Sequence, residues 1–289
     1  MSVGVIWNRA ARRARYLPVH RLFPEAEVVV TESPEEAESK ARELAQRHST
    51  VVAIGGDGTV NSVVNGLRGT DAALGLIPAG TGNVLARELL IPVHDPSEAA
   101  RICLGDASTA IDLGQCGDRL FVASAGFGVD AEVVARADGW KPVWGRLAFV
   151  MAASVEQFRQ HRWHVAIDAE GRRVYEGEAV LVAAVNCPRY AGWRKPLPDT
   201  SLADGLLDLF VVMPSNLPGT PLLDVAGWAL LGRAHRSKRV RTFRAAEFQL
   251  RFEGPEPLCQ MDGELVPDGA KTVRVQPRAL QVKTRKAVI

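Results

Sequence analysis

The sequence has few of the features that mark disulfide-stabilised, zinc-binding or nucleic-acid-binding proteins. Its 289 residues include four cysteines, which are widely spaced and form no CxxC pair. This usage argues against a disulfide scaffold and a structural zinc site, and it favours a reducing, cytoplasmic compartment. The formal net charge is only +2. The molecule as a whole therefore does not attract nucleic acid, and we expect no such partner.

Long apolar runs are also missing. The start of the sequence has no apolar run that would suit a signal peptide. The longest stretch with few polar residues is residues 217–232. It contains Pro218, Pro221 and Asp224 and is too short to span a bilayer. We therefore expect no transmembrane segment, and any membrane contact should be peripheral. A length of 289 residues exceeds one typical core and predicts two domains.

A glycine-rich loop follows a short β-branched run in the first third of the chain. Residues 51–54 predict a buried strand, and helically spaced apolar residues begin at Val60. The loop between them consists of Gly55, Gly56, Asp57, Gly58 and Thr59. A strand, a glycine turn and a helix N-terminus together form a cradle for an anion, and a phosphate is the expected ligand. For a lone loop of this kind, a plain tight turn in a core is the alternative.

A second loop repeats this arrangement. Residues 73–78 predict a strand and residues 84–90 predict a helix, with Gly80 and Gly82 in the turn between them. Each loop also supplies a hydroxyl and an amide side chain, from Thr59 and Asn61 in the first loop and from Thr81 and Asn83 in the second. Two such loops in succession indicate a polyphosphate site far better than one.

Strands and helices alternate in this region, which is the pattern of a doubly wound parallel sheet. Residues 27–31 predict a strand, and Ser33, Pro34 and Glu36 mark the start of a helix with a capping box. Ligands of such sheets bind beyond the carboxyl ends of the strands. Asn8, Thr31 and the first glycine loop should all lie at those ends, which gathers three polar groups at one edge.

The sequence pattern changes after Gly114, and we expect the domain break near residues 113–120. A helix is expected at about residues 143–159, followed by short apolar or alternating runs separated by glycine, proline and aspartate. These runs are residues 163–168, 179–186, 206–213, 242–252 and 273–275. They predict a mostly antiparallel β domain. We therefore expect an α/β domain over residues 1–116 and a β domain over residues 117–276.

Five short motifs occur in an order that resembles the diacylglycerol kinase catalytic-domain family, and in particular its soluble bacterial lipid kinases. They are Gly55-Gly56-Asp57-Gly58-Thr59-Val60-Asn61, Gly80-Thr81-Gly82-Asn83, Gly126-Phe127-Gly128-Val129-Asp130, Leu202-Ala203-Asp204-Gly205-Leu206-Leu207-Asp208 and Met261-Asp262-Gly263-Glu264. Each motif alone is short, but the ordered set covers nearly the whole chain. Sphingosine kinase and NAD kinase are relatives of this family.

The resemblance implies ATP-dependent phosphoryl transfer to a lipid hydroxyl. It also implies an α/β nucleotide-binding domain followed by a β-sandwich, an active site between them, and a chain end, about residues 277–289, that packs back on the first domain. The implied ATP contacts are Asn8, Thr31, Gly55, Gly56, Asp57, Gly58, Thr59, Asn61, Gly80, Thr81 and Asn83. The chain has no Walker A sequence and no protein-kinase catalytic motif, so it is neither an ordinary P-loop enzyme nor a protein kinase.

Three carboxylates are candidates for catalysis. Asp57 would repel a polyphosphate unless it acted through Mg²⁺, and its alternative is an Asx-turn that bonds its own backbone. By the family pattern, the Asp262-Gly263-Glu264 turn faces the phosphate loop, with Glu264 as first choice for the general base and Asp262 as its partner or a metal ligand. A plain surface hairpin is the alternative for this turn, and Asp57 could share the role of base.

A second magnesium site is implied by resemblance at Ser201, Asp204 and Leu206. One carboxylate with neighbouring carbonyls suits a hard cation that keeps its waters. The alternative is a type I turn before the next strand.

The expected partner is a lipid substrate at the membrane surface. A basic run over residues 233–244, with Trp228, Leu230 and Leu231 just before it, would suit anionic lipids, which attract each Lys or Arg by about 1 kcal/mol. A solvated helix end explains the same run equally well. The sequence does not determine the acceptor lipid or the oligomeric state, and a homodimer is among the states it allows.

Two other functions remain open. An NAD kinase shares the Gly-Gly-Asp-Gly loop, but the Asn-Glu pair expected of those enzymes occurs nowhere in this chain. A nucleotide- or lipid-binding regulator without turnover is the other. It is favoured by the departure after Asn8, where the family's Asn-Pro and Ser/Thr-Gly stretch is replaced by arginines such as Arg9 and Arg12. Those arginines form either a solvated face or a set of phosphate donors.

Overall fold

The chain forms two compact units in a computed structural model that describes residues 2–11, 13–144, 161–190, 193–194, 197, 199–216, 224, 233–266 and 271–285. The first unit consists of Met1–Leu113 and Gln276–Ile289, and the second consists of Gly114–Val275. Among the described residues, no helix is both long enough and apolar enough to cross a bilayer.

The regular elements are eighteen strands and six α-helices among the described residues. The strands are β1 Val3–Asn8, β2 Glu27–Thr31, β3 Thr50–Gly55, β4 Ala73–Pro78, β5 Ser108–Cys116, β6 Arg119–Phe121, β7 Ser124–Gly128, β8 Trp163–Ala169, β9 Arg172–Ala179, β10 Leu181–Val185, β11 Arg189–Tyr190, β12 Trp193–Arg194, β13 Leu207–Val212, β14 Val240–Ala245, β15 Glu247–Glu253, β16 Cys259–Met261, β17 Glu264–Val266 and β18 Thr272–Lys283. The helices are α1 Val19–Leu22, α2 Pro34–Ala45, α3 Asp57–Gly66, α4 Val84–Glu88, α5 Pro96–Cys103 and α6 Val129–Trp144, with 3₁₀ turns at Ala14–Tyr16 and Ala234–Arg236.

Parallel strands in the order β2-β1-β3-β4 form the centre of the first unit. Every residue of β3 is buried, as a continuous apolar strand between two covered faces should be. The register aligns the strand ends, because Asn8 pairs with Thr31 and Gly55 pairs with Pro78. The predicted parallel α/β sheet is confirmed, and its carboxyl edge carries both glycine loops.

The starts of α2 and α3 can be compared with their sequence signals, whereas α1 at Val19–Leu22 was not predicted. Helix α2 is capped as predicted, since the Ser33 hydroxyl accepts a hydrogen bond from the Glu36 amide at 3.2 Å. The Glu36 carboxylate in turn accepts from the amide of Glu32 at 2.9 Å. Helix α3 was expected to begin at Val60 but begins at Asp57. The last glycine and the threonine of the loop therefore form the first turn of the helix.

The last part of the chain returns to the first unit. Val282 of β18 lies beside Leu74 of β4 in parallel register. The amide of Arg278 donates to the carboxylate of Asp112 at 2.7 Å, and the Lys283 ammonium donates to the carbonyl of Gly105 at 2.8 Å. These bonds join segments more than 160 residues apart in sequence, so the C-terminal residues are an integral part of this unit.

Antiparallel sheets make up the second unit. One has the order β14-β13-β10-β7-β16-β17, and the other contains β9, β8, β15 and the start of β18. Side chains from both sheets share one buried core, in which Phe127 and Leu209 of the first meet Ile167, Phe248 and Leu250 of the second. This is the sandwich arrangement expected of two sheets that each bury one face. The predicted antiparallel β domain is confirmed.

Two expectations for this unit need correction. Residues 242–252 form two strands rather than one, because the chain leaves one sheet after Ala245 and enters the other at Glu247. The helix α6 begins at Val129, well before the expected residue 143, and most of the predicted 143–159 segment lies outside the described residues. The glycines just before Val129 are typical of a loop, so the sequence pattern does not indicate that a helix begins at Val129.

Candidate functional site

The two glycine loops of the first unit touch each other backbone to backbone. A Cβ placed on Gly80 would lie 2.4 Å from the Cα of Gly56, and one placed on Gly56 would lie 3.3 Å from the Cα of Gly80. The amides of Ala79 and Gly80 both donate to the carbonyl of Gly55, at 2.8 and 3.2 Å. Only residues without a side chain permit this approach. The two loops, predicted separately, therefore form one structure.

The first loop leads directly into the N-terminus of α3. The first hydrogen bond of this helix runs from the amide of Val60 to the carbonyl of Gly56, at 3.0 Å. The amides of Asp57, Gly58 and Thr59 precede that bond, and such amides have no partner within their own helix. Together with the helix dipole they can hold an anion.

Asp57 ties the first loop to the second. One of its carboxylate oxygens accepts from the amide of Asn83 at 2.8 Å, and the other accepts from the amide of Val84 at 2.6 Å. A Cβ on Gly82 would lie 2.4 Å from the same carboxylate. Both oxygens thus cap the start of α4. Asp57 therefore bonds the backbone of the second loop rather than its own, as an Asx-turn would.

Asn83 closes the second loop on itself. Its backbone is left-handed, with φ 50° and ψ 51°, a conformation that asparagine adopts more readily than most residues. Its side-chain amide donates to the carbonyl of Gly80 at 2.9 Å and accepts from the amide of Gly80 at 3.0 Å. The Arg87 guanidinium adds a bond to the carbonyl of Gly82 at 2.8 Å. The loop is therefore held in shape by its own bonds.

The strand ends supply further polar groups to the first loop. The Asn8 side chain donates to the hydroxyl of Thr59 at 2.9 Å and accepts from the amide of Ala10 at 3.0 Å. The hydroxyl of Thr31 is buried and has no hydrogen-bond partner among the described residues. Asn61 is also buried and accepts from the side chain of Asn65 at 3.1 Å, whereas Thr81 is exposed.

The spacing of residues in the sequence does not predict that Asp57, Asn65 and Arg87 hold these loops. The i, i+4 spacing of Asn61 and Asn65 was a signal for their bond, because such positions are neighbours on a helix. The contacts of Asp57 and Arg87 had no comparable signal, since each depends on how a loop folds.

The acidic turn of the second unit is a tight hairpin between β16 and β17. Asp262 and Gly263 have φ values of 51° and 86°, as a two-residue type I′ turn requires. The Asp262 carboxylate accepts from the amides of Val122, Ala123 and Ser124, at 2.7, 2.7 and 3.0 Å. Glu264 is the first residue of β17, and its side chain is exposed. Asp262 thus anchors the turn, and Glu264 extends from it.

The loop predicted to hold a second magnesium ion has turn geometry. The Ser201 hydroxyl accepts from the amide of Ala203 at 3.2 Å, and one Asp204 oxygen accepts from the amide of Leu206 at 3.0 Å. The other Asp204 oxygen is bonded by the Arg244 guanidinium, which also lies 3.0 Å from the carboxylate of Asp208.

Arg244 already supplies positive charge to this loop. Burial raises the pKa of the Asp208 carboxyl, and Arg244 opposes that shift. Among the described residues, no group of three or more His, Cys, Asp or Glu side chains is arranged for a metal. Because Asp204 is bonded to Leu206 and to Arg244, these donors do not fit a divalent cation as they stand.

The basic run of residues 233–244 follows residues 225–232, which lie outside the described part of the chain. It contains the 3₁₀ turn at Ala234–Arg236 and the strand β14. Arg239 donates to the carbonyl of Pro214 at 3.0 Å, while Arg233 and Arg241 are exposed. The apolar residues Trp228, Leu230 and Leu231 lie outside the described residues.

The chain combines an α/β unit, in which two glycine loops touch, with an antiparallel β unit that follows it. This combination defines a class of two-domain proteins. Residues 6–116 match the family model of the diacylglycerol kinase catalytic domain. Residues 123–284 match the model described as the YegS C-terminal NAD kinase beta sandwich-like domain. The two matches together cover most of the chain.

Curated relatives give the same result. A diacylglycerol kinase of Bacillus subtilis is 32% identical over 231 residues, which covers 76% of this chain and 75% of that protein. A diacylglycerol kinase of Mycobacterium tuberculosis is 30% identical over 268 residues, which covers 91% of this chain and 85% of that protein. The chain belongs to the diacylglycerol kinase family.

Solved structures agree on the fold. A diacylglycerol kinase from Bacillus anthracis has a TM-score of 0.80 at 24% identity, with 100% of this chain and 98% of that chain covered. An NAD kinase from Archaeoglobus fulgidus in complex with ATP has a TM-score of 0.54 at 13% identity, with 98% and 92% covered. At these identities the likeness establishes the architecture alone.

Proposed function

We propose that the protein is a lipid kinase that transfers the γ-phosphoryl group of ATP to the hydroxyl of a lipid such as diacylglycerol. The observation that carries this proposal is the contact between Gly56 and Gly80, which joins two phosphate-type loops into one cradle in a member of the diacylglycerol kinase family. An α/β unit without such a cradle would need another way to hold a polyphosphate.

The cradle fits the phosphates of ATP. The amides of Asp57, Gly58 and Thr59 at the start of α3 provide donors, and the exposed hydroxyl of Thr81 is available on the second loop. The buried hydroxyl of Thr31 lacks a partner among the described residues, as expected of a group that awaits a ligand. In this proposal Asn8 acts by orienting Thr59.

Mg²⁺ enters the proposal only as the ion that ATP carries. When bound, it would neutralise charge on the β- and γ-phosphates. The carboxylates of Asp57 and Asp262 accept two and three backbone hydrogen bonds respectively and do not form a metal site. No catalytic step is therefore assigned to a metal held by the protein.

Glu264 is the proposed general base. Phosphoryl transfer to an alcohol needs a group that takes the hydroxyl proton as the oxygen attacks the γ-phosphorus and ADP leaves. The carboxylate of Glu264 is exposed on its hairpin, where a substrate hydroxyl can approach it. Asp57 and Asp262 each accept hydrogen bonds from the backbone of a neighbouring loop. Asp57 is then a positioning residue for the glycine loops, and Asp262 is one for the hairpin that carries Glu264.

A membrane-resident acceptor would require the protein to act at the lipid surface. We propose a cytoplasmic protein that contacts the membrane peripherally, since no described helix could span it. The exposed Arg233 and Arg241 would favour anionic lipid at that surface.

The decisive experiment incubates the full-length protein and Mg²⁺ with radiolabelled ATP, separately with diacylglycerol in phospholipid vesicles and with NAD⁺. A labelled lipid is the expected product. Labelled NADP would indicate an NAD kinase-type enzyme instead. If ATP binds but neither acceptor is labelled, the lipid kinase proposal is wrong for diacylglycerol and a binding protein is favoured.

Glu264→Gln tests the base in the same assay. Loss of the carboxylate should lower kcat by about 100-fold or more, because general bases contribute about 10²–10⁴-fold. ATP affinity should remain unchanged. Glu253→Gln, another exposed glutamate of the same unit, is the control and should keep full turnover. Normal turnover by Glu264→Gln would exclude Glu264 as the base.

A further inference from the structure

A buried glutamine lies next to the turn that carries Glu264. Gln260 is the middle residue of β16 and is only 4% exposed. Its side-chain oxygen accepts from the amide of Gly263 at 2.8 Å, and its side-chain nitrogen donates to the carboxylate of Asp130 at 3.0 Å. A backbone amide can only donate and a carboxylate can only accept, so the two partners determine which way the amide group points.

Asp130 is placed for this bond by the strand next to Gln260. It lies in the first turn of α6, where a negative charge is favoured by the helix dipole. Gly126 of β7 pairs directly with Gln260, and a Cβ on Gly126 would lie 2.3 Å from the Asp130 carboxylate. The absence of a side chain at residue 126 therefore leaves the space that Asp130 occupies.

The hairpin turn is thus held from two sides. The Asp262 carboxylate is bonded to the amides of residues 122–124, and the amide of Gly263 is bonded to Gln260 and, through it, to Asp130. Asp262 and Gly263 both need left-handed backbone, which few alternative turns would share. Glu264 follows them directly, so its position depends on the orientation of the turn.

We propose that Gln260 is a positioning residue that aligns the Glu264 turn by connecting the amide of Gly263 to Asp130. This proposal rests on the assignment of Glu264 as the base. The two halves of the amide side chain have separate jobs: the oxygen holds the turn, and the nitrogen holds the first turn of α6.

Gln260→Glu separates the two jobs. The variant keeps an oxygen for the amide of Gly263 but replaces the bond to Asp130 by a contact between two carboxylates, which repel. We expect kcat to fall by about 10-fold or more with the KM for ATP unchanged, as when an interaction that serves only the transition state is lost. Gln249→Glu, an exposed glutamine of the same unit, is the matched control and should leave turnover unchanged.

The exchanged pair Asp130→Asn with Gln260→Glu tests the connection itself. The amide at residue 130 can then donate to the carboxylate at residue 260, which restores one hydrogen bond between them with the roles reversed. In the double variant, we expect log kcat to recover by at least about half of the decrease that Gln260→Glu alone causes. A double variant no more active than the single one would overturn the proposal.

Hydrogen exchange provides a readout that needs no activity. In Gln260→Glu, repulsion from Asp130 should displace the carboxylate that would accept from the Gly263 amide, so this amide should exchange faster. It should recover protection in the double variant, whereas Glu264→Gln should leave its exchange unchanged. Unchanged exchange in Gln260→Glu would overturn the proposal. If the unaltered protein phosphorylated no acceptor, the lipid kinase assignment would fail, yet the exchange measurements would still show whether Gln260 orders the turn.

Discussion

Two aspartates of this protein hold loops in place by accepting hydrogen bonds from backbone amides. Asp57 and Asp262 both sit in turns that resemble catalytic motifs, and each accepts backbone hydrogen bonds from a loop distant in sequence. A carboxylate bonded in this way shapes a site without reacting in it. The motifs predict that both aspartates belong to the site, and their contacts support a positioning role for each.

Asp57→Asn should weaken both the fold and nucleotide binding. The substituted amide can accept from only one of the two amides, at Asn83 and Val84, and it turns a donor toward the other. We expect a loss of about 1–3 kcal/mol in the free energy of unfolding and a weaker affinity for ATP. Urea denaturation and calorimetric titration with ATP measure the two effects.

Asp71→Asn, at an exposed position of the same unit, is the control for that substitution. It should change neither quantity. An Asp57→Asn variant as stable as the unaltered protein would show that the bonds from Asp57 to the second loop contribute little.

Gly80→Ala tests the contact between the loops. The new methyl group would lie 2.4 Å from the Cα of Gly56, so one backbone must move. We expect ATP affinity to fall by about 10-fold or more, because the donors of both loops would no longer be aligned. Gly105→Ala meets only ordinary contacts, the nearest at 3.4 Å, and should bind ATP normally. Equal affinity in both variants would contradict the paired-loop cradle.

At the scale of whole elements, the pairing of the strands determines where the loops at their ends lie. The carboxyl ends of β1, β2, β3 and β4 align in register, and this alignment brings Asn8 beside Thr31 and the two glycine loops together. In the second unit, β13 and β14 bring Asp208 opposite Arg244 in the same way. Arg244 thereby offsets part of the negative charge at the loop before β13.

This arrangement predicts how the Asp204 loop responds to metal removal. Treatment with EDTA should leave the melting temperature unchanged, because Arg244 already bonds Asp204 and Asp208. Arg244→Met should lower stability by about 1–3 kcal/mol, since a charged partner of the buried Asp208 is lost. Arg241→Met, an exposed arginine of the same strand, is the control. A clear drop in melting temperature with EDTA would indicate a bound cation instead.

For the molecule as a whole, the candidate residues are divided between the two units. The first holds the paired loops and is completed by residues from the end of the chain, and the second holds the hairpin with Glu264. The family of the chain fixes the kind of chemistry to test, and the radiolabelled ATP assay with lipid and NAD⁺ tests it at this scale.

The sequence by itself determined the parallel strands of the first unit, the glycine turns and the order of the two fold classes. Those features follow from local causes: β-branched runs such as β3, the cap at Ser33, and glycines that permit unusual backbone. Only the tertiary structure decided what the acidic residues do. The partners of Asp57 lie 26 and 27 residues away and those of Asp262 lie 138 to 140 away, so no local periodicity records them. The same distance effect hid the bond from Gln260 to Asp130, which spans 130 residues, because a hydrogen bond across folded elements depends on where the whole chain places both groups.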